Sequence, residues 1–119
     1  MSTFTPSEVA ERSGFSIDTL RYYEREGLLP GISRTAGGRR AYSQSDLDWL
    51  GLVRCLRDTG MPIADLKRYT ELCADSSTLE QRLALLERHG TEVQAAIDAL
   101  LRQQEQLREK IGWYRSQLA

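Results

Sequence analysis

The stretch Ser16-Ile-Asp-Thr-Leu-Arg-Tyr-Tyr-Glu-Arg-Glu-Gly27 decides how the chain is read. It has the marks of a short capped helix. Ser16 suits the N-cap, because its hydroxyl can accept from a free N–H of the first turn, and Gly27 can end the helix in the left-handed region. Ile17, Leu20 and Tyr23 recur at helical spacing and define an inward face, while Asp18, Arg21, Tyr22 and Arg25 share the other side. Solubility alone would be served by Lys and Glu. Arginine beside tyrosine suits a flat, anionic partner, and the expectation is a helix lying against DNA.

Upstream, Thr5-Pro6-Ser7-Glu8 predicts a helix start, with a capping box from Thr5 and Glu8 and proline at the first helical position. That helix should stop near Ser13-Gly14. Two short helices joined by a tight turn form a helix-turn-helix, whose second helix enters the major groove. Downstream, Gly37-Gly38 reads as a hairpin-type turn, since both glycines can take positive φ, and Ile32–Arg34 and Arg40–Tyr42 can form two short strands beside it. A hairpin there is a wing, and Arg34, Arg39, Arg40 and Tyr42 are its candidate phosphate contacts.

Charge supports this locally rather than globally. The 119-residue chain has a formal net charge of -1, so bulk charge points to no partner. Between Gly27 and Ser45, however, the only charged residues are Arg34, Arg39 and Arg40. A basic patch on a balanced chain fits a phosphate footprint. A solvated arginine-rich loop is the plainer reading of that segment by itself.

Ser43-Gln-Ser-Asp46 starts another helix, expected to run to Gly60, with Leu47, Trp49, Leu50, Leu52, Val53 and Leu56 as a broad apolar face. Pro62 opens a further one with Ile63, Leu66 and Tyr69 or Thr70 aligned. From Thr78 onward no proline intervenes, and Ser77-x-x-Glu80 offers a capping box. Leu79, Leu83, Leu86, Val93, Ile97, Leu100, Leu107, Ile111, Tyr114 and Leu118 then alternate in steps of four and three, with Gly90 and Gln104 at the remaining seam positions. A helix of that length extends roughly 60 Å. So small a head cannot cover its seam, and a homodimeric coiled coil is the expected consequence, whichever way the two strands run.

Thr19-Leu-Arg-Tyr-Tyr-Glu, Gly27-Leu-Leu-Pro, the wing segment Arg34 to Tyr42, Ser45-Asp-Leu and Leu56-Arg-Asp-Thr-Gly-Met-Pro-Ile-Ala-Asp-Leu66 occur in an order that resembles the MerR family of bacterial transcription regulators. The resemblance covers about Thr3 to Leu72. Arg39 departs from it, since the family often has an aromatic residue after the glycine. The fold implied is mostly α: a winged helix-turn-helix head with a small β-hairpin wing, residues 1–75, followed by a long antiparallel coiled-coil dimerisation helix, residues 76–119. The function implied is a homodimer on a palindromic promoter operator, which bends and untwists double-stranded DNA for RNA polymerase. Ser16, Thr19, Arg21, Tyr22, Tyr23, Arg34, Arg39, Arg40, Tyr42 and Arg57 become the candidate DNA contacts. Periodicity also suits Tyr23 to the core, and Arg57 to plain solvation. The turn Thr59-Gly60-Met61 would be a second wing.

The effector is the open part of the reading. Metal-sensing relatives need converging thiol or imidazole ligands, whereas this chain has two cysteines, Cys55 and Cys73, and one histidine, His89. Drug-sensing relatives carry a ligand domain after the helix, and the chain ends at Ala119. Arg54-Cys55-Leu56-Arg57-Asp58 resembles the segment around a lone cysteine in aldehyde- and electrophile-responsive members, which makes Cys55 the sensing candidate. The other reading of Cys55 is a buried small hydrophobe. No metal site, cofactor or catalytic constellation is expected, so the chain is not read as an enzyme. Two cysteines fit a reducing compartment, and no apolar run is long enough to span a membrane. The resemblance implies a cytoplasmic, nucleoid-associated bacterial protein. An effector-independent architectural or repressor protein is the alternative function, and a coiled-coil protein-interaction module a more distant one.

Overall fold

The computed structural model describes residues 3–29 and 31–119. It has five helices and one small antiparallel hairpin, and it divides into two compact units, Met1–Arg82 and Leu83–Ala119. The first unit contains α1 (Pro6–Ser13), α2 (Ile17–Arg25), β1 (Ser33–Arg34), β2 (Arg40–Ala41), α3 (Gln44–Asp58) and α4 (Ile63–Cys73); α5 (Leu79–Leu118) begins in it and forms the second.

The helix starts follow their capping residues. The Glu8 N–H donates to Thr5 Oγ1 and the Thr5 N–H to the Glu8 carboxylate, each at 3.2 Å, which closes the expected box. Ser43 and Asp46 do the same for α3. Gly14 caps α1 at φ 79°, and its N–H donates to Ala10. At the end of α2 the Leu28 N–H donates to Tyr23 and the Gly27 N–H to Glu24, with Gly27 at φ 74°. This double closure satisfies the last carbonyls and turns the chain sharply.

The head packs around Val9, Leu20, Leu28, Leu50, Val53 and Leu66, each at most 1% exposed. Burial of such side chains stabilises by about 1.5–3 kcal/mol apiece. Trp49 is half-buried. Its indole N–H donates to the Leu28 carbonyl at 2.7 Å, and its ring stacks on Tyr69 at 5.8 Å. Phe4 and Tyr42 exchange backbone hydrogen bonds at 2.8 and 2.9 Å, tying the N-terminal segment to the wing.

Two local expectations are corrected. The wing turn is a three-residue loop of Ala36, Gly37 and Gly38, and only Gly38 is at positive φ (81°). The Gly38 N–H donates to Thr35 and the Thr35 N–H to Arg39, so Gly37 needs no left-handed backbone. At the start of α5, Ser77 does not form the predicted box with Glu80. Its N–H and hydroxyl both donate to Asp75, at 2.9 and 2.7 Å, and these bonds hold the Asp75 carboxyl below its ordinary pKa. The Thr78 hydroxyl donates back to Leu72 and Asp75, and the helix begins at Leu79.

Candidate nucleic-acid interface

The candidate recognition surface is built on α2. Ser16 accepts from the Thr19 N–H at 3.1 Å, and its hydroxyl donates to Thr19 Oγ1 at 2.9 Å, so these two candidates form the cap that sets the helix start. Leu20 and Tyr23 point into the core. Asp18, Arg21 and Arg25 are exposed, and Tyr22 is 38% exposed. Tyr23, a candidate contact by resemblance, is 6% exposed and stands edge-on to Phe15 at 5.3 Å. Its ring lies 5.9 Å from that of Tyr22, so it backs the exposed tyrosine from below.

The wing is held to this helix by one carboxylate. Arg40 donates to Glu24, and Arg34 lies 3.7 Å from the other Glu24 oxygen while also donating to the Gly38 carbonyl at 3.2 Å. Arg34 and Arg39 are exposed; Arg40 is half-buried with Glu24. Tyr42 is the clearest departure. A candidate phosphate contact of the wing, it is only 1% exposed, and burial, with the Glu24 charge next, pushes its phenol pKa up. A side chain so placed serves the core rather than an outside partner. Arg57 is also engaged internally: it is half-buried and donates to the Met61 carbonyl at 2.6 Å, closing the turn before α4.

Two cations near α2 escaped the sequence reading. Lys67 of α4 donates to Glu26 at 2.7 Å and is near enough to interact electrostatically with Tyr22. The hydrogen bond and charge of Lys67 lower the Glu26 pKa, and Glu26 raises that of Lys67. Arg54 of α3 donates to the Ser13 carbonyl at 3.3 Å, pairs with Asp58 at 2.8 Å and lies over the Phe15 ring, so it braces the turn between α1 and α2. No sequence signal joins residues 41 positions apart.

Cys55 is exposed on α3, which removes the buried-hydrophobe reading; Cys73 is half-buried at the end of α4. Among the described residues no group of three or more His, Cys, Asp or Glu could hold a metal ion, and no helix is long and apolar enough to cross a membrane. Along α5, Leu79, Leu83, Ile97, Leu100, Leu107 and Ile111 are exposed, Leu86 and Val93 half-buried.

An exposed Arg-Tyr face on the second helix of a helix-turn-helix, flanked by a basic wing, defines a DNA-binding transcriptional regulator. The chain belongs to the MerR family: residues 4–73 match the model of the MerR HTH family regulatory protein. It is 40% identical over 113 residues to an uncharacterised HTH-type transcriptional regulator of Haemophilus influenzae, spanning 94% of this chain and 84% of that one. It is 38% identical over 81 residues to the HTH-type transcriptional regulator AdhR of Bacillus subtilis, spanning 67% and 58%. Among solved structures, HiNmlR, described as a MerR family regulator lacking the sensor domain and bound to promoter DNA, matches with a TM-score of 0.90 at 39% identity, over 97% of this chain and 92% of that one. A MerR family regulator from Listeria monocytogenes matches with a TM-score of 0.85 at 38% identity, over 91% and 83%.

Proposed function

We propose that this regulator acts as a homodimer on a palindromic promoter operator, with α2 in the major groove, the wing on flanking phosphates, and residues 76–119 as the dimerisation element. The observation that carries the proposal is the apolar seam of the 40-residue α5, exposed at Leu79 and Leu83 and again from Ile97 through Leu100, Leu107, Ile111, Tyr114 and Leu118. Exposing such a stripe to water is unfavourable, and a second copy offers the matching stripe.

Charge beside the seam favours antiparallel pairing. Glu80 and Glu87 flank the seam in its first half, and Arg108 and Arg115 hold the same heptad position in its second half. Antiparallel strands meeting between Ile97 and Leu100 would set Glu80 against the partner's Arg115 and Glu87 against the partner's Arg108, each twice by symmetry. Parallel strands would instead set Arg82 against the partner's Glu87, an attractive pair, but Lys110 against the partner's Arg115, a like-charge pair, which leaves the antiparallel arrangement with the better balance. Opposed acid and base at these flanking positions set orientation more than they add stability.

In the dimer, Arg21, Tyr22 and Arg39 meet DNA directly, with Ser16 and Thr19 fixing the helix start beside it. Arg34 and Arg40 contribute from the wing while Glu24 positions them; Tyr23, Tyr42 and Arg57 support the surface from within. Bending and untwisting of the operator for RNA polymerase is the mode of control that fits a dimer presenting two heads to one duplex. A response to thiol-reactive electrophiles through Cys55 is the finer part of the proposal, supported by the exposure of that thiol. The likeness to a relative that lacks a sensor domain favours the second reading, a regulator with no effector of its own. Transcription from the bound promoter with and without diamide, in wild type and Cys55→Ser, separates the two. Induction that disappears with the thiol supports sensing, and identical transcription in every condition supports the second reading.

A further inference from the structure

We propose that the head carries a small-molecule site beneath the end of α2, and that it takes a one- or two-ring aromatic amine. A cavity of about 290 Å³ is lined by Gly27, Trp49, Thr70, Glu71, Cys73 and Ala74. An apolar cavity of about 150 Å³ already accommodates benzene, so this one holds a substituted aromatic ring.

The lining defines the chemistry. The Trp49 N–H is committed to the Leu28 carbonyl, and the Thr70 hydroxyl donates to the Leu66 carbonyl at 2.9 Å. The Cys73 thiol is likewise engaged, by the Tyr69 side chain. What remains is an indole, the Ala74 methyl and the bare backbone of Gly27, a set of walls that suits a flat apolar body. The one charge among the lining residues is the Glu71 carboxylate, 70% exposed and sharing its charge with Arg68 at 3.6 Å. A carboxylate at the rim of an aromatic pocket favours an ammonium group and repels an anion. The occupant is therefore an aromatic amine.

The position gives the site a consequence, which rests on the DNA-binding reading. Gly27 closes the recognition helix, and the indole that walls the cavity also holds the carbonyl of the next residue, Leu28. A ligand against both shifts the C-terminal turn of α2, and with it the angle at which the Arg21–Tyr22 face of that helix is presented to DNA. Binding and operator affinity are then coupled, and by linkage the coupling is reciprocal.

Calorimetric titration of the full chain with 2-phenylethylamine, without DNA, tests the site independently of any operator. We expect saturable binding, with phenylacetate at least about tenfold weaker because charge attraction becomes repulsion. Ala74→Phe should fill the cavity and abolish the heat while the far-UV spectrum and Tm stay unchanged. Glu71→Gln should retain binding but lose the preference for amine over acid. Absence of saturable heat in the wild type, or heat undiminished in Ala74→Phe, overturns the site. If 2-phenylethylamine binds but leaves affinity for a selected operator duplex unchanged, the coupling is overturned and the site stands. Failure to bind DNA at all would count against the function proposed above and leave the calorimetry untouched.

Discussion

Arg40 on the second strand of the wing donates its guanidinium to Glu24 on the recognition helix, and both side chains are only about a quarter exposed. The wing is therefore an extension of α2 rather than a separate basic loop. Because Arg34 shares the same carboxylate, Glu24 fixes the spacing between the helix and wing parts of one surface. Removing Glu24 leaves Arg40 half-buried without its counter-ion, and removing Arg40 leaves Glu24 with only the more distant Arg34. Glu24→Ala and Arg40→Ala should each cost about 1 kcal/mol, read as a loss of several degrees in Tm. The double variant should cost clearly less than the sum of the two; strict additivity would dissociate Glu24 from the wing.

At the helix-turn-helix bend, Gly14 adopts φ 79°, and an added Cβ would lie 2.5 Å from Arg54 Nη1. The guanidinium can move aside, so the backbone conformation dominates the cost. Gly14→Ala should destabilise by about 1–2 kcal/mol from the left-handed strain. Adding Arg54→Ala should not restore stability, because it removes the clash but also the bond to Ser13. Denaturant unfolding of the single and double variants checks this, and full recovery in the double would mean that the clash was the whole effect.

The Lys67–Glu26 pair gives a pH signature. The folded state holds Glu26 below its ordinary pKa of 4.5, so its contribution is present above that value and lost as pH falls through the lowered one. Lys67 is raised above 10.5, so its share is lost only as pH climbs through the raised value. Between these limits Lys67→Met should be less stable than wild type, and the difference should close in acid. Thermal melts of both proteins from pH 3 to 8 report it, and a pH-independent difference would assign the effect to packing of the lysine stem.

Ile97 lies near the middle of the α5 seam and is 45% exposed in the single chain. A carboxylate there would be buried without a partner in the dimer. Ile97→Asp should give monomers with little operator affinity and a folded head, and sedimentation showing an intact dimer would contradict the pairing proposed.

The sequence displayed whatever is local. Capping residues marked the starts of α1, α2 and α3, because a cap is a bond between residues three apart. Gly14 and Gly27 marked the helix ends, since positive φ there favours glycine. It did not display what tertiary structure decides. Tyr42 read as a wing contact because strand alternation does not say which face meets the core. Ser77 read as a cap because nothing local weighs Asp75 against the helix start. Glu24–Arg40, Lys67–Glu26 and Arg54–Ser13 join residues 16, 41 and 41 positions apart. For Cys55, the neighbouring leucines suggested burial, whereas its own phase on α3 leaves it outward.

Arg21 is exposed on the outer face of α2 and should touch DNA. If it meets a phosphate, Arg21→Ala should weaken binding uniformly across sequences and reduce the salt slope by about 1; if it reads a base, it should cost about 1–3 kcal/mol and relax specificity at one position. Unchanged affinity and unchanged salt slope would take α2 out of the interface.

In the mode of action proposed above, two copies of this chain grip one duplex through α2 and the wing. Hydroxyl-radical footprinting on a duplex selected by the protein from a random pool, combined with the mass of the complex in sedimentation, tests it most directly. Two chains per duplex and a two-fold symmetric footprint with paired major-groove half-sites are expected. One chain per duplex, or a single asymmetric footprint, would contradict it.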